Sequence, residues 1–171
     1  MGKLITISGV KRSFSTGQFN IVRISLERAG YKVNVLGPPY KLRDIPNKEI
    51  DLLKIHKYDE DIANRADKIF LTERNWLEVK NSMIRFYERD ITDSDVEHEF
   101  LQLKKWKWHS KIPVFHFELW DDYPMIYIEL VLKYLNINDS VGEIFREFNN
   151  LELPDEGKDE KTLLFHNHIT R

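Results

Sequence analysis

Two hydrophobic rhythms alternate along the first part of the chain. From Lys3 to Ser8 a short β-branched run stops at Gly9, as a buried strand entering a turn does. From Gln18 to Ala29 the apolar residues Phe19, Val22, Leu26 and Ala29 recur at steps of three and four. That spacing predicts one face of a helix, ended by Gly30. Tyr31 to Leu36 predicts a second strand, closed by Gly37-Pro38-Pro39. Strand, loop, helix and strand in this order form the crossover unit of a parallel sheet.

The alternation continues. Lys41 to Glu49 is polar, carries Pro46 and predicts a loop. Leu52 to His56 predicts a strand, Asp59 to Ala66 a short helix and Lys68 to Thr72 a further strand. Trp76, Val79, Met83 and Tyr87 mark an amphipathic helix. Asp95 to Trp108 predicts another, and Val114 to Leu119, after Pro113, reads as a strand. Pro124 suits a helix's first turn, and Met125 to Leu135 is apolar nearly all round. That pattern predicts a helix packed on two sides, or the most hidden of the set. Asp139 to Phe148 is a last helix, and Leu151 to Arg171 has no clear period. With no repeat or linker, the pattern predicts one α/β domain over residues 1–171, a three-layer sandwich around a central parallel sheet.

Composition adds mainly exclusions. The chain is 42% hydrophobic and 32% charged, as ordinary globular domains are. A formal net charge of −2 supplies no global field for nucleic acid or an acidic membrane, so any anion site must be local. No cysteine is present, which removes disulfides and thiolate metal sites and suits a reducing compartment. The opening apolar run is too short for a signal peptide, and nowhere do about 18 apolar residues follow one another. A cytoplasmic protein with no membrane association is the expectation.

The candidate chemistry begins at Gly9-Val10-Lys11-Arg12-Ser13-Phe14-Ser15-Thr16-Gly17, between a predicted strand and a predicted helix. Backbone N–H groups and the positive end of the helix dipole converge there, which favours phosphate or sulfate. Lys11 and Arg12 add charge, and Ser13, Ser15 and Thr16 add hydroxyls. An ATP-type loop would need Gly and Lys where Phe14 and Ser15 stand, which disfavours a small-molecule kinase. Two further patterns follow in order. Lys54-Ile55-His56 closes a predicted strand, whose alternation would put Lys54 and His56 on one side. Arg74 and Ser82 lie at a strand end and two helical turns on, a fork and a hydroxyl suited to a dianionic phosphate.

The loop resembles the 5′-phosphosulfate loop of sulfotransferases, P-[KR]-S-G-[ST]-T, with Arg12, Ser13, Ser15 and Thr16 in matching places. It departs from that pattern at Lys11 for Pro and at Phe14 for Gly. Phe at a glycine position predicts strain or a crowded cradle. Arg74 with Ser82 is similar to the family's 3′-phosphate clamp, and Lys54 with His56 to its active-centre K-x-H. The resemblance implies a P-loop-like fold and 3′-phosphoadenosine 5′-phosphosulfate as co-substrate, without a metal. It further implies transfer of a sulfonate group to a hydroxyl or amine on a small molecule or glycan. His56 would be the base, and Lys54 and Arg12 would stabilise the transferred group and leaving phosphate. The loop from Lys11 through Phe14 to Thr16, with Arg74 and Ser82, would bind the nucleotide. The family's late R-K-G phosphate motif is missing, so a nucleotide-binding or interaction module without turnover is the alternative.

Other features carry less. Lys104-Lys105-Trp106-Lys107-Trp108-His109 mixes cations and aromatics as single-strand binders do, but reads better as a helix that buries both Trp. His166 and His168 lack a third metal ligand nearby in sequence. Tyr40, Phe86, Trp120 and Tyr123 fall near element ends, where they could line an acceptor pocket or simply fill the core.

Overall fold

The structure is a computed structural model describing residues 2–37, 42, 45–109 and 112–164. Its centre is a sheet of five strands: β1 (Lys3–Gly9), β2 (Val33–Leu36), β3 (Ile50–Lys54), β4 (Lys68–Glu73) and β5 (Val114–His116). All pairings are parallel, and the strand order is β2-β3-β1-β4-β5. The helices are α1 (Ser15–Arg28), α2 (Glu60–Arg65), α3 (Trp76–Tyr87), α4 (Asp93–His109), α5 (Phe117–Asp122), α6 (Pro124–Leu135) and α7 (Val141–Asn149).

Alternation along the buried strands makes two cores. Ile5 and Ile7 of β1, Leu52 of β3 and Phe70 of β4 face α1, α6 and α7. Leu4 of β1, Leu53 of β3, and Ile69 and Leu71 of β4 face α2, α3 and α4. The predicted three-layer α/β architecture with a parallel sheet is therefore the observed one. β1 leads into α1 on one side, whereas its neighbours β3 and β4 lead into helices on the other. A crevice opens at the carboxyl ends of such strands.

Four expectations are corrected. β3 ends at Lys54, so His56 lies beyond the strand and alternation does not relate the two residues. Val114 to Leu119 is strand only as far as His116. The edge strand pairs with β4 at three positions, and then Phe117–Asp122 turns into helix α5. α6 is not hidden all round: Tyr127, Ile128, Val131 and Leu132 are buried, but Met125, Ile126 and Leu130 are exposed. Trp106 is fully buried and Trp108 is 85% exposed, because residues two apart on a helix point to nearly opposite sides. Among the described residues no helix is long and apolar enough to cross a membrane.

Candidate active site

The loop after β1 starts with a close approach. Gly9 has φ 142°, and a Cβ there would lie 2.3 Å from both the carbonyl and the hydroxyl oxygen of Thr72, so only glycine fits. Ser13 then locks the loop onto β4. Its hydroxyl lies 2.5 Å from Val10 O and 2.7 Å from Thr72 Oγ1, and its N–H donates to Val10 O at 3.2 Å. Arg12 and Phe14 both adopt left-handed backbone, with φ 65° and 72°. Each such residue costs about 1–2 kcal/mol when it is not glycine.

Phe14 offsets that cost through its ring, which stacks on Trp120 at 4.7 Å. It also meets Phe117 at 5.7 Å, Tyr127 at 5.9 Å and Phe148 at 6.0 Å. Aromatic pairs are each worth roughly 0.5–1.5 kcal/mol beyond the area they bury, so the cluster outweighs the backbone strain. The ring therefore points into the hydrophobic layer beside α1, and it leaves the loop open.

Phe14 is also the residue preceding α1, whose first turn has neither a side-chain cap nor an acidic residue. The helix ladder begins with Gln18 N–H donating to Phe14 O at 2.9 Å. The N–H groups of Ser15, Thr16 and Gly17 thus have no intrahelical acceptor, and they sit at the positive end of the helix dipole.

A cavity of about 580 Å³ lies over this helix end. Of the site residues read from the sequence, all but Ser13 line it: Lys11, Arg12, Phe14, Ser15, Thr16, Lys54, His56, Arg74 and Ser82. Ser13 is fully buried, and its hydroxyl and amide are committed to Val10 and Thr72. It builds the loop and offers a ligand nothing.

The cations differ in how free they are. Lys11 pairs with Glu99 at 2.8 Å, and Arg74 with Glu78 at 2.7 Å. Arg74 also lies over Phe117, with its Cζ 4.0 Å from the ring centroid. Arg12 Nε–H donates to Ser82 Oγ at 3.2 Å, and its guanidinium lies 4.2 Å from the Phe86 centroid. Burial lowers the Arg12 pKa, as do the neighbouring Arg74 and Arg85 guanidinium groups, against an opposing contribution from Tyr87. Arg85 lines the same cavity and was missed in the sequence. Its signal was its place three residues after Ser82 on α3, where i and i+3 share a face.

Lys54 donates from Nζ to Thr16 Oγ1, joining the end of β3 to the first turn of α1. Burial first, and then the charges of Arg12 and Lys158, bring its pKa down to about 7. His56 Nδ1–H donates to Gly9 O at 2.9 Å, which fixes the ring and leaves Nε2 as an acceptor. Burial and the nearby Lys54 lower its pKa to about 3, opposed by the bond to Gly9, so the imidazole is neutral.

Of the residues considered for an acceptor pocket, Phe86 and the newly found Phe117 and Phe148 line the cavity. Trp120 stands behind Phe14 in the aromatic cluster, and Tyr123 is exposed at the start of α6. Tyr40, His166 and His168 lie outside the described residues. Among the described residues no group of three or more His, Asp or Glu is placed to hold a metal.

No family model matches the chain, and no curated protein matches it in sequence. Solved structures do match in fold. Mouse sulfotransferase SULT7A1 complexed with PAP superposes with a TM-score of 0.67 at 13% identity, over 86% of this chain and 63% of that one. Its fold is that of the sulfotransferases. Retinol dehydratase in complex with androsterone and inactive cofactor PAP gives a TM-score of 0.63 at 11% identity, over 87% of this chain and 64% of that one. The same enzyme with retinol and PAP gives 0.61 at 12% identity, over 94% and 67%. The chain thus carries the sulfotransferase fold in less than two thirds of the length of the first two structures.

Proposed function

We propose that the chain transfers a sulfonate group from 3′-phosphoadenosine 5′-phosphosulfate to a hydroxyl or amine of a small molecule or glycan. One observation carries this reading. An uncapped helix N-terminus converges on one cavity with Lys54, Arg12 and Arg85, none of which has a carboxylate partner among the described residues. A ligand with two separated phosphate-type charges fits that arrangement, and the sulfotransferase fold supports it at the level of architecture.

In this reading the N–H groups of residues 15 to 17, Thr16 and Lys54 hold the 5′ end. Arg12, Ser82, Arg74 and Arg85 hold the 3′-phosphate, whose dianion suits guanidinium forks. The acceptor oxygen attacks sulfur as the bond from sulfur to the bridging phosphate oxygen breaks, and the electron pair leaves with the nucleotide. The acceptor's proton passes to Nε2 of His56. Negative charge beside Lys54 counters the ammonium that depresses His56, and so raises the basicity of the imidazole when substrate is bound. Lys54 stabilises charge on the transferring group and the leaving phosphate, while Arg12, bonded to Ser82, stays with the 3′-phosphate.

A second reading, nucleotide binding without turnover, is favoured by the engagement of Lys11 with Glu99 and of Arg74 with Glu78. Calorimetry with 3′-phosphoadenosine 5′-phosphate and with AMP tests the binding shared by both readings. The bisphosphate is expected to bind at least about tenfold tighter, consistent with an added charge-assisted contact. Arg74→Ala and Arg85→Ala are expected to abolish that preference while sparing AMP. Indifference to both ligands sinks both readings. Sulfonate transfer from isotopically labelled 3′-phosphoadenosine 5′-phosphosulfate to a panel of phenols, alcohols, amines and glycans then separates them.

A further inference from the structure

Gly17 and Phe14 form a reciprocal pair. A Cβ built on Gly17 would lie 2.0 Å from Phe14 Cε2 and 2.3 Å from its Cζ, so the phenyl ring occupies the space a side chain at position 17 would take. The ring is the contact between the loop and the aromatic cluster of Phe117, Trp120, Tyr127 and Phe148, which come from α5, α6 and α7. Phe14 immediately precedes the first turn of α1, whose residues Ser15, Thr16 and Gly17 line the cavity.

We infer that Phe14 is a positioning residue: its ring clamps the loop to the helical layer and holds the N–H groups of Ser15, Thr16 and Gly17 in the geometry an anion needs. The inference rests on the nucleotide reading above. It reverses the expectation for a glycine position. Phe14→Gly removes the left-handed strain at φ 72° but also deletes the clamp. The loop then gains the freedom that glycine confers, and that freedom is lost again on binding. The ring itself, and not the position it springs from, is the operative part.

The test is a ring relocation. Affinity for 3′-phosphoadenosine 5′-phosphate is measured by calorimetry for the wild type, Phe14→Gly, Phe14→Leu and the double variant Phe14→Gly/Gly17→Phe, with folding checked by circular dichroism. Phe14→Gly is expected to weaken binding at least about tenfold, as the loss of one well-placed anion contact does. The double variant, whose ring starts inside the volume vacated by Phe14, is expected to recover to within about threefold of wild type. Phe14→Leu keeps a side chain in the cluster and serves if Phe14→Gly fails to fold; it is expected to lose affinity as well. Amide hydrogen exchange of the unliganded variants at Gln18, whose N–H is bonded to Phe14 O, and at Ser13, bonded to Val10 O, reads the same ordering without any nucleotide, faster in Phe14→Gly and Phe14→Leu and slowed again in the double variant. Wild type that does not bind the nucleotide overturns the functional reading, and the exchange pattern then decides the clamp by itself. Binding in Phe14→Gly equal to or tighter than wild type, unchanged exchange, or a relocated ring that rescues stability without affinity overturns the clamp.

Discussion

Lys54 allows the functional reading to be tested through protons. Burial, Arg12 and Lys158 hold its pKa at about 7 in the empty site. A bound dianion brings compensating charge to the same place, and so moves the pKa back toward the ordinary lysine value. At pH 8.5 the free protein carries this proton in only about 3% of molecules, so binding takes up close to one proton per nucleotide. The nucleotide contributes nothing to that count, because the second ionisation of a phosphate monoester, near pKa 6, is complete at this pH. His56, near pKa 3 in the empty site, is neutral there as well. Affinity should fall about tenfold per pH unit above 7, equivalent to roughly 1.4 kcal/mol, and flatten below it.

Calorimetric titrations with 3′-phosphoadenosine 5′-phosphate at pH 8.5, in buffers of different ionisation enthalpy, give the proton count directly. Lys54→Met should abolish the uptake and flatten the pH profile. Uptake below about 0.2 proton in the wild type, or undiminished uptake in Lys54→Met, refutes the placement of the anion beside Lys54. The sign for stability is opposite to that for binding. Between the folded pKa near 7 and the ordinary lysine value, the unfolded chain binds more protons. Lys54 therefore makes the empty fold more stable as pH rises through that window.

Two further outcomes follow from the buried hydroxyls. Ser13→Ala should lower unfolding free energy in urea by about 1–3 kcal/mol, through the lost bonds to Val10 and Thr72, while changing nucleotide affinity less than about threefold. A large affinity loss with little destabilisation would mean that the hydroxyl serves the ligand after all. Tyr127 OH is buried without a hydrogen-bond partner among the described residues, and burial raises its pKa well above the usual phenol value. Tyr127→Phe should therefore leave the melting temperature unchanged or raise it, by up to about 1 kcal/mol in stability; a clear loss would contradict an orphaned hydroxyl.

Much of this architecture could be read from periodicity because the strands are buried on both faces and the helices pack by one stripe. Lys3 to Ser8 and Lys68 to Thr72 each came within a residue of the observed strands. The start of α1 did not, since left-handed residues at 12 and 14 let the helix begin at Ser15, three residues before the predicted start at Gln18. The end of β5 was missed because Phe117 to Leu119, read as strand, belong to a short helix whose Phe117 and Trp120 face the Phe14 ring. In the site, the charged residues read in order along the chain converge on one cavity. Their pairing did not show in sequence: the partner of Lys11, Glu99, is 88 positions away on α4. The destination of the Phe14 ring depended equally on residues from α5, α6 and α7, which no local pattern connects to the loop.

The seat of the first strand in the sheet constrains how the molecule is made. β1 pairs with β3 across register partners such as Lys3 and Ile50, and with β4 across Ile5 and Lys68, so it is synthesised before both neighbours and waits for them. The Ser13 and Gly9 contacts that shape the cradle are with Thr72, reached only when β4 arrives. Long-range parallel pairing of this kind is slow, because loop closure must precede the contacts that reward it. The loop geometry is therefore a late product of folding, and a nascent chain that stops short of Thr72 carries the loop's residues without the loop.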